Sequence, residues 1–308
     1  MKQQNKKHNV NGWIIIDKPT GKTSSKVVNE VRHLLSARKA GHAGTLDPAA
    51  TGILPIALGE ATKTIPYLVN SLKSYQFTVR WGEDRDTNDS EGSIIASSKI
   101  RPDITSIKHS LHEFVGQIKQ LPPDYSAVKV NGQRAYKLAR EKEKINLAPR
   151  TIFIESFDLI EILSDDRATF RVTSGKGAYM RSLARDLGRR LGTYGHISAL
   201  RRLKVGPFSE KDAISLDSLE ALAHSPENHK LILPVEAALD GIPALNLSGD
   251  KANRLRCGQS IPVSEELDWV HGEAARENGL LYTVSCGKLL AVSLLQGGCI
   301  KPVRVLNL

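Results

Sequence analysis

The segment Gly41–Gly52 places a carboxylate, Asp47, and an imidazole, His42, among glycines, alanines and threonines. Small residues let the backbone approach a ligand closely, so such a segment is suited to a binding loop. A carboxylate there can act as a nucleophile, and an imidazole offers a flat polar ring. An Asp that precedes Pro more often initiates a turn. The segment by itself leaves both interpretations open.

Other reaction classes have little support in the sequence. The chain contains no HExxH, no CxxC pair and no GxSxG, and Gly175-Lys176-Gly177 lacks the spacing of a phosphate-binding loop. Its three cysteines are too few and too irregularly spaced for a zinc site or a disulfide framework. We therefore expect neither a metal nor a cofactor, and a reducing, cytoplasmic location. No long apolar run or signal-peptide pattern indicates a membrane.

Charge points to a polyanionic partner. The 308 residues include 43 Lys or Arg and 33 Asp or Glu, a formal net charge of +10. The excess lies in two stretches: residues 129–150 carry +5 and residues 176–204 carry +7, whereas residues 241–308 carry +1. Neutralised phosphates release counterions, so local basic surfaces favour nucleic acid. The distribution predicts a shaped site for a polyanion rather than a uniformly basic coat.

Four segments, taken in order, resemble the TruB family of tRNA pseudouridine-55 synthases. The most specific is the sequence HAGTLDPAATGILPIALGEATK at residues 42–63. The others are Lys18-Pro19, Tyr75-Gln76-Phe77, and Gly175–Arg181 leading to Leu200–Leu203. The resemblance spans most of residues 12–240. It implies an enzyme that flips uridine 55 out of the T-loop of tRNA and isomerises it to pseudouridine, without a cofactor.

The resemblance also implies roles for individual residues. Asp47 would be the nucleophile, and Arg181 would lie beside it and keep the carboxylate ionised. Tyr75 would stack on the target uracil and act in proton removal from the sugar. The remaining expected contacts to the substrate are His42 in the space vacated by the flipped base, Lys18 near the tyrosine or a phosphate, and Tyr179 and Leu200 in the pocket wall.

Residue patterns predict a chain of mixed α and β structure. We expect strands at Trp13–Ile16, Tyr75–Trp81, Ile152–Leu163 and Thr169–Thr173, and helices at 24–37, 106–115 and from Tyr179 to Leu191. Residues 39–63 show no clean period and are expected to form a long functional loop, or else to contain an element that the pattern does not reveal. Ser24 is expected to cap the first helix. The resemblance implies an α+β pseudouridine synthase fold, with a mixed, largely antiparallel sheet flanked by helices.

Two domains are expected. Residues 1–240 would form the catalytic domain, with an RNA-binding thumb at about 122–150 that contains a short helix. Residues 241–308 would form a small β-rich, PUA-like domain with a helix at Ser248–Arg256 and strands at Leu281–Ser285, Leu289–Leu294 and Val303–Leu308. The thumb is expected to contact the T-arm, since RNA of this kind is recognised through loop shape and splayed bases.

Three other functions are compatible with the same motifs. One is a guide-RNA-dependent pseudouridine synthase of the dyskerin type, which the basic insertion and the GEATK ending of the signature disfavour. Another is a synthase acting on ribosomal RNA. A third is a non-catalytic tRNA-binding or RNA-folding protein, which the presence of Asp47 disfavours. The expected partner is the T-arm of tRNA; no protein partner is implied, and we expect a monomer.

Overall fold

The structure is a computed structural model, which describes residues 9–130, 132–141, 143, 145–223, 225, 230–263, 268–271 and 278–308. Its α-helices are α1 Ser24–Leu34, α2 Ile65–Val69, α3 Ile104–Leu111, α4 Ala135–Arg140, α5 Met180–Arg190, α6 Leu216–Leu222 and α7 Gly249–Arg256. Short 3₁₀ helices cover Gly59–Lys63, His112–Phe114, Glu210–Asp212 and Val235–Leu239.

The strands fall into an N-terminal and a C-terminal set. The first set is β1 Gly12–Lys18, β2 Ala40–His42, β3 Thr51–Leu58, β4 Lys73–Trp81, β5 Glu83–Arg85, β6 Ile94–Ser97, β7 Gly116–Gln120, β8 Lys129–Val130, β9 Gln133–Arg134, β10 Arg150–Ser164, β11 Arg167–Ser174, β12 Gly195–Val205, β13 Phe208–Ser209 and β14 Ala213–Ile214. The second set is β15 Ala244–Asn246, β16 Ile261–Pro262, β17 Asp268–His271, β18 Leu280–Ser285, β19 Lys288–Gln296 and β20 Cys299–Val305.

A ten-stranded mixed sheet forms the centre of the N-terminal part. Its order is β14-β1-β3-β12-β4-β11-β10-β7, with β2 paired to β3 and β13 to β12. The pairs β1–β14 and β3–β12 are parallel, and the other neighbours are antiparallel. Helix α5 packs its apolar face on the cluster around Phe77 and Phe170. The α+β class with a largely antiparallel sheet is confirmed.

The expectation of a loop at 39–63 is wrong. Strands β2 and β3 and a 3₁₀ helix occupy most of this segment. Strand β3 is buried on both faces, so its apolar run does not alternate with polar residues. Pro55 lies within it and argues against a strand when only the sequence is read. The true loop is the short connection between β2 and β3 that contains Asp47.

Helix α1 begins with a different cap from the one expected. Thr23 is the N-cap, and its side chain accepts a hydrogen bond from the backbone N–H of Lys26. The apolar face contains Val27, Val28 and Val31, as the spacing predicts. The hydroxyl of Ser24 is turned away from the helix end and is used elsewhere.

The insertion at 122–150 has a small apolar cluster of its own. The hairpin β8–β9 leads into the short helix α4, and Val128, Ala135 and Leu147 are buried together. Positions 131, 142 and 144 lie outside the described residues. They include Lys142 and Lys144, which are expected to contribute to the charge of the insertion.

The C-terminal strands form a six-stranded sheet with the order β16-β20-β19-β18-β15-β17, covered in part by α7. Its last strand begins at Cys299 and ends at Val305, earlier than expected. This part packs against the first: Leu289, Val292 and Leu306 share an apolar cluster that includes Trp13. Lys63, the last residue of the signature segment, donates to the carbonyl of Val305 at 2.8 Å. Among the described helices, none is long and apolar enough to cross a membrane.

Candidate active site

The loop between β2 and β3 presents Asp47 and is held on both sides of it. The hydroxyl of Ser24 accepts a hydrogen bond from the N–H of Leu46 at 2.8 Å and donates to its carbonyl at 2.9 Å. The carbonyl of Pro48 accepts from the N–H of Gly21 at 2.8 Å. Because both neighbours are anchored, the backbone of Asp47 has little freedom, while its side chain remains 40% exposed. Sequence reasoning gave Ser24 the wrong role because it considered local partners only.

Lys18 lies beneath this loop. It is fully buried, and its ammonium group donates to three carbonyls, those of Pro19 and Lys22 at 2.8 Å and of Pro48 at 3.1 Å. Burial lowers the pKa of Lys18 to about 8, with the Asp47 carboxylate acting in the opposite direction. A side chain with this burial and these acceptors positions the loop and does not reach out to a phosphate.

Arg181 is the cation beside Asp47. It lies in the first turn of α5, and its Nε donates to Oδ2 of Asp47 at 2.9 Å. Its other nitrogens donate to the carbonyls of Thr87 at 2.9 Å and Tyr125 at 2.8 Å. Only 7% of the side chain is exposed. One guanidinium thus joins the Asp47 loop to two other segments, and no described donor bonds Oδ1 of Asp47.

Asp89 is a second carboxylate on the same guanidinium, and sequence reasoning missed it. Its Oδ2 lies 3.7 Å from Nε of Arg181, while its Oδ1 accepts from the hydroxyl of Thr87 at 2.6 Å. It follows β5 in the hairpin that β5 and β6 form. The hairpin is itself fixed, because Arg185 and Arg189, one and two turns along α5, contact Asn88 and Asp84. Nothing in the local sequence marks Asp89, since its partner is 92 residues away.

A cleft opens at these residues. Its lining includes Asp47, Asp89, Glu91, Arg181 and Leu200. Three carboxylates and one guanidinium in this lining give the floor of the cleft a negative net charge. A neutral ring is suited to such a floor, and a phosphate is not, because like charges repel at short range.

Tyr75 is half-buried on β4, where its cross-strand neighbour is Arg202 of β12. It is not part of the lining around Asp47 described above, but packs on the same apolar cluster as Leu200. His42, at the end of β2, keeps a buried Nδ1 without a hydrogen-bond partner in the described structure. Burial, and secondarily the charge of Arg202, lowers the pKa of His42, so the imidazole is neutral at pH 7.

Tyr179 connects α5 to the insertion. It is the N-cap residue of α5, and its backbone N–H donates to the side chain of Gln120 at 2.8 Å. The Gln120 amide donates back to the Tyr179 carbonyl at 3.1 Å. The Tyr179 ring packs on the apolar cluster of the insertion. The structure therefore brings Asp47, Arg181 and Leu200 into one cleft, whereas Tyr179 is not part of that lining and packs on the insertion.

The basic stretch 176–204 is not the surface that its charge suggests. Arg181, Arg185 and Arg202 are buried. Three more arginines form ion pairs: Arg189 with Asp84, Arg190 with Glu113, and Arg201 with Asp17 and Glu210. Counting charge along the chain overstated the exposed cations, because tertiary neighbours neutralise most of them. In the described part of the chain, no group of three or more His, Cys, Asp or Glu is placed to hold a metal.

Comparison with known families gives matches in the N-terminal part. The model described as TruB family pseudouridylate synthase (N terminal domain) matches residues 32–180. The model described as tRNA pseudouridylate synthase B C-terminal domain matches residues 181–240.

Curated relatives and solved structures match over nearly the whole chain. The tRNA pseudouridine synthase B of Bradyrhizobium diazoefficiens is 48% identical, with 98% of this chain and 87% of that protein covered. That of Rhodospirillum rubrum is 48% identical, with 97% of each covered. An H/ACA RNP bound to a substrate RNA containing 2′-deoxyuridine is similar with a TM-score of 0.75 and 25% identity, over 96% of this chain and 85% of that one. A Cbf5–Nop10–Gar1 complex gives 0.74 and 27%, over 97% and 85%.

Proposed function

This chain belongs to the TruB family of pseudouridylate synthases, and we propose that it isomerises uridine 55 in the T-loop of tRNA to pseudouridine. The observation that supports this most directly is the pairing of a 40% exposed Asp47 with a buried Arg181 at the floor of a cleft. Relatives named tRNA pseudouridine synthase B share nearly half of the residues over the whole chain.

The reaction breaks the bond from C1′ to N1, turns the uracil and joins C1′ to C5; the hydrogen on C5 leaves as a proton, and N1 takes up a proton. It transfers no electrons and no external group. A carboxylate can serve as the covalent nucleophile, as in retaining glycosidases. Asp47 has a suitable arrangement for this role: its Oδ2 is held by Arg181, and the residue lines the cleft. Attack at C1′ and attack at C6 of the base are both compatible with this geometry.

Charge around Asp47 supports a flipped base as the occupant of the cleft. The acidic floor formed by Asp47, Asp89 and Glu91 accepts a neutral uracil and repels the RNA backbone. The backbone phosphates would then stay outside, next to the exposed cations of the insertion. Base flipping separates the two parts of the nucleotide in this way.

The remaining site residues take supporting roles in this proposal. Tyr75 stacks on the uracil and acts in proton removal from the sugar, and Leu200 and Tyr179 border the pocket. His42, neutral at pH 7, helps to occupy the space that the base leaves. For Lys18 we propose loop positioning in place of direct substrate contact, because its ammonium is buried and fully engaged with carbonyls.

We further propose that residues 1–240 form the catalytic domain, with the insertion at 122–150 as its RNA-binding thumb, and residues 241–308 a PUA-like domain. Lys129, Arg134, Lys137 and Arg140 are all exposed on the insertion. These cations are better placed for phosphates than the mostly buried or paired arginines of 176–204. The enzyme would act as a monomer on cytoplasmic tRNA.

The double substitution Lys129→Ala and Lys137→Ala is expected to weaken tRNA binding with little effect on the rate at saturating tRNA. For each phosphate that the variant no longer neutralises, the slope of log K against log salt should become shallower by about 0.7–0.9. Fluorescence titrations between low and physiological salt measure this slope. Arg167→Ala, an exposed cation at the opposite end of β11 from the site, is the control. An unchanged slope in the double variant would exclude the thumb from phosphate binding.

Activity is expected to fall as pH rises through about 8, the pKa to which burial lowers Lys18. The folded-state pKa lies below that of an exposed lysine, so the ammonium form predominates below pH 8 and is lost above it. A neutral amine has two N–H groups for three carbonyls, so the anchoring of Pro48 weakens, and the positive charge near Asp47 disappears. Loss of one charge-assisted hydrogen bond corresponds to about a tenfold slower step.

Single-turnover rates from pH 6.5 to 9 measure this effect. Lys18→Met should be slow throughout and show no inflection near pH 8. Lys73→Met is the control, because Lys73 is a second buried lysine with its pKa lowered to about 8, bonded only to the carbonyls of Val69 and Ser71. If the inflection disappeared in the Lys73 variant and persisted in the Lys18 variant, the assignment to Lys18 would be wrong.

The decisive experiment for the proposed function is tritium release from tRNA transcript labelled at uracil C5, with no guide RNA added. Release that disappears when the T-loop uridine is replaced by cytidine supports both the reaction and the position. Release that requires a guide RNA would instead indicate the dyskerin-type alternative. Binding without release would indicate a non-catalytic RNA-folding protein, and release from ribosomal RNA alone a different substrate.

A further inference from the structure

Arg202 is a buried cation that none of the roles above uses. It lies on β12 directly opposite Tyr75 of β4, and only 1% of it is exposed. Residues that face each other across neighbouring strands have Cβ atoms about 4.5–5.5 Å apart, on the same face of the sheet. No described carboxylate forms an ion pair with Arg202, in contrast to Arg201 next to it, which has two.

The guanidinium of Arg202 is fixed by the backbone around the Asp47 loop. Its Nε donates to the carbonyl of Ile53 at 2.7 Å and its Nη2 to the carbonyl of Gly44 at 3.1 Å. A Cβ at Gly44 would lie 3.3 Å from Nη1, so glycine leaves the guanidinium its space. The same guanidinium interacts with the side-chain hydroxyl of Tyr75. Arg202 is therefore held rigidly between the Asp47 loop and the tyrosine.

Stability alone does not account for this arginine. Burial lowers the pKa of Arg202, which means that the surroundings disfavour its charge. A buried cation without a carboxylate partner destabilises the folded state. Such a group is typical of functional sites, where its charge acts on a neighbouring atom.

We propose that Arg202 is a positioning residue for Tyr75, holding the phenolic oxygen in place and stabilising negative charge that develops on it. The inference rests on the proposed function, since Tyr75 acts in the reaction only there. It adds a residue that neither the cleft lining nor the signature motif identifies. The side chain of Arg202 would then fix the position of Tyr75 relative to the Asp47 loop.

A double-mutant cycle tests this proposal. Arg202→Met in the otherwise unchanged protein should lower the single-turnover rate by about 10- to 100-fold, the effect of one charge-assisted hydrogen bond, and leave the tRNA dissociation constant unchanged. In a Tyr75→Phe background, where the hydroxyl is absent, the same substitution should lower the rate clearly less, because only its hydrogen bonds to the carbonyls of Ile53 and Gly44 remain to be lost. If the two losses multiplied, Arg202 would act independently of Tyr75, and the proposal would be wrong.

Two further variants separate this role from a general structural one. Lys73→Met removes a buried cation two residues from Tyr75 without touching its hydroxyl, and should leave the rate unchanged. Arg202→Lys keeps the charge and serves for the same cycle should the methionine variant fail to fold. If the wild-type enzyme releases tritium normally and the two rate losses multiply in the double variant, this proposal alone is wrong. A wild type that releases none overturns the proposed function.

Discussion

Asp47→Asn is expected to abolish isomerisation while tRNA binding stays intact. The amide has the shape of the carboxylate and can still accept a hydrogen bond from Arg181, but it is neutral and a poor nucleophile. By analogy with the loss of an essential residue of other covalent catalysts, the rate should fall by at least about 10⁴-fold. Single-turnover tritium release measures the rate, and fluorescence titration measures the dissociation constant.

The matched control is Asp17→Asn. Asp17 is a similarly exposed carboxylate, 38% against 40%, that is also paired with an arginine, Arg201. Its substitution removes the same charge from the same part of the sheet and should leave the rate unchanged. Comparable residual activity in the two variants would mean that Asp47 is not the nucleophile.

Arg181→Met is expected to be the next most damaging substitution, with a rate about 10²–10³-fold lower and little change in the tRNA dissociation constant. The guanidinium orients Oδ2 of Asp47 and joins its loop to the carbonyls of Thr87 and Tyr125. With 7% of its side chain exposed, it cannot contact RNA phosphates to any extent. Removing it also leaves Asp89 without its cation, so the protein should be less stable to urea.

Arg185→Met controls for that loss of stability. Arg185 lies one turn further along α5, is equally buried, and donates to the carbonyl of Leu121 at 2.9 Å. Arg185 contacts Asn88 and Leu121, which belong to the same two segments as the carbonyls that Arg181 contacts. It does not contact Asp47. We expect this variant to be destabilised with nearly normal turnover. If Arg181→Met lowered the affinity for tRNA while the rate at saturating tRNA stayed unchanged, the ion-pair role would be wrong.

The residue pattern of helix α5 led to two predictions, one from its apolar repeat and one from its arginines. The apolar repeat that includes Leu183 and Leu187 correctly predicted a helix packed on the sheet. Its arginines belong to the basic stretch 176–204, which is expected to face RNA, with Arg181 as the exception expected beside Asp47. In the structure Arg181 and Arg185 point into the protein and donate to carbonyls of the 121–125 segment, which enters the insertion. Helical periodicity gives the angle between faces, but not which of them a neighbouring segment will cover.

The signature segment also has a structural role that its sequence does not indicate. Glu60 and Lys63, in the 3₁₀ helix after β3, form an ion pair at 2.7 Å. Glu60 accepts from the N–H of Asn307 at 2.8 Å, and Lys63 donates to the carbonyl of Val305. The end of the C-terminal sheet is therefore attached to the strand that follows the Asp47 loop. These hydrogen bonds span more than 240 residues and depend on the packing of the two sheets.

The sequence by itself determined the family, because the motif at 42–63 is specific in composition and spacing, and the same motif predicts Asp47 as the reactive carboxylate. It also determined most helices and several strands, since their apolar runs and periods are local properties. It failed at β3, where Gly52 and Pro55 interrupt the apolar run, although the equally buried β1 was recognised from its unbroken run.

Tertiary structure alone decided which polar groups meet. Asp47 and Arg181 are 134 residues apart, Arg181 and Asp89 are 92 apart, and Arg202 reaches Gly44 over 158. These pairs form because β3, β4 and β12 are neighbours in the sheet and α5 packs beside them. Burial then decides whether a cation faces solvent, pairs with a carboxylate or donates to backbone carbonyls. Charge counted along the chain carries no information on burial, which depends on how distant segments pack together.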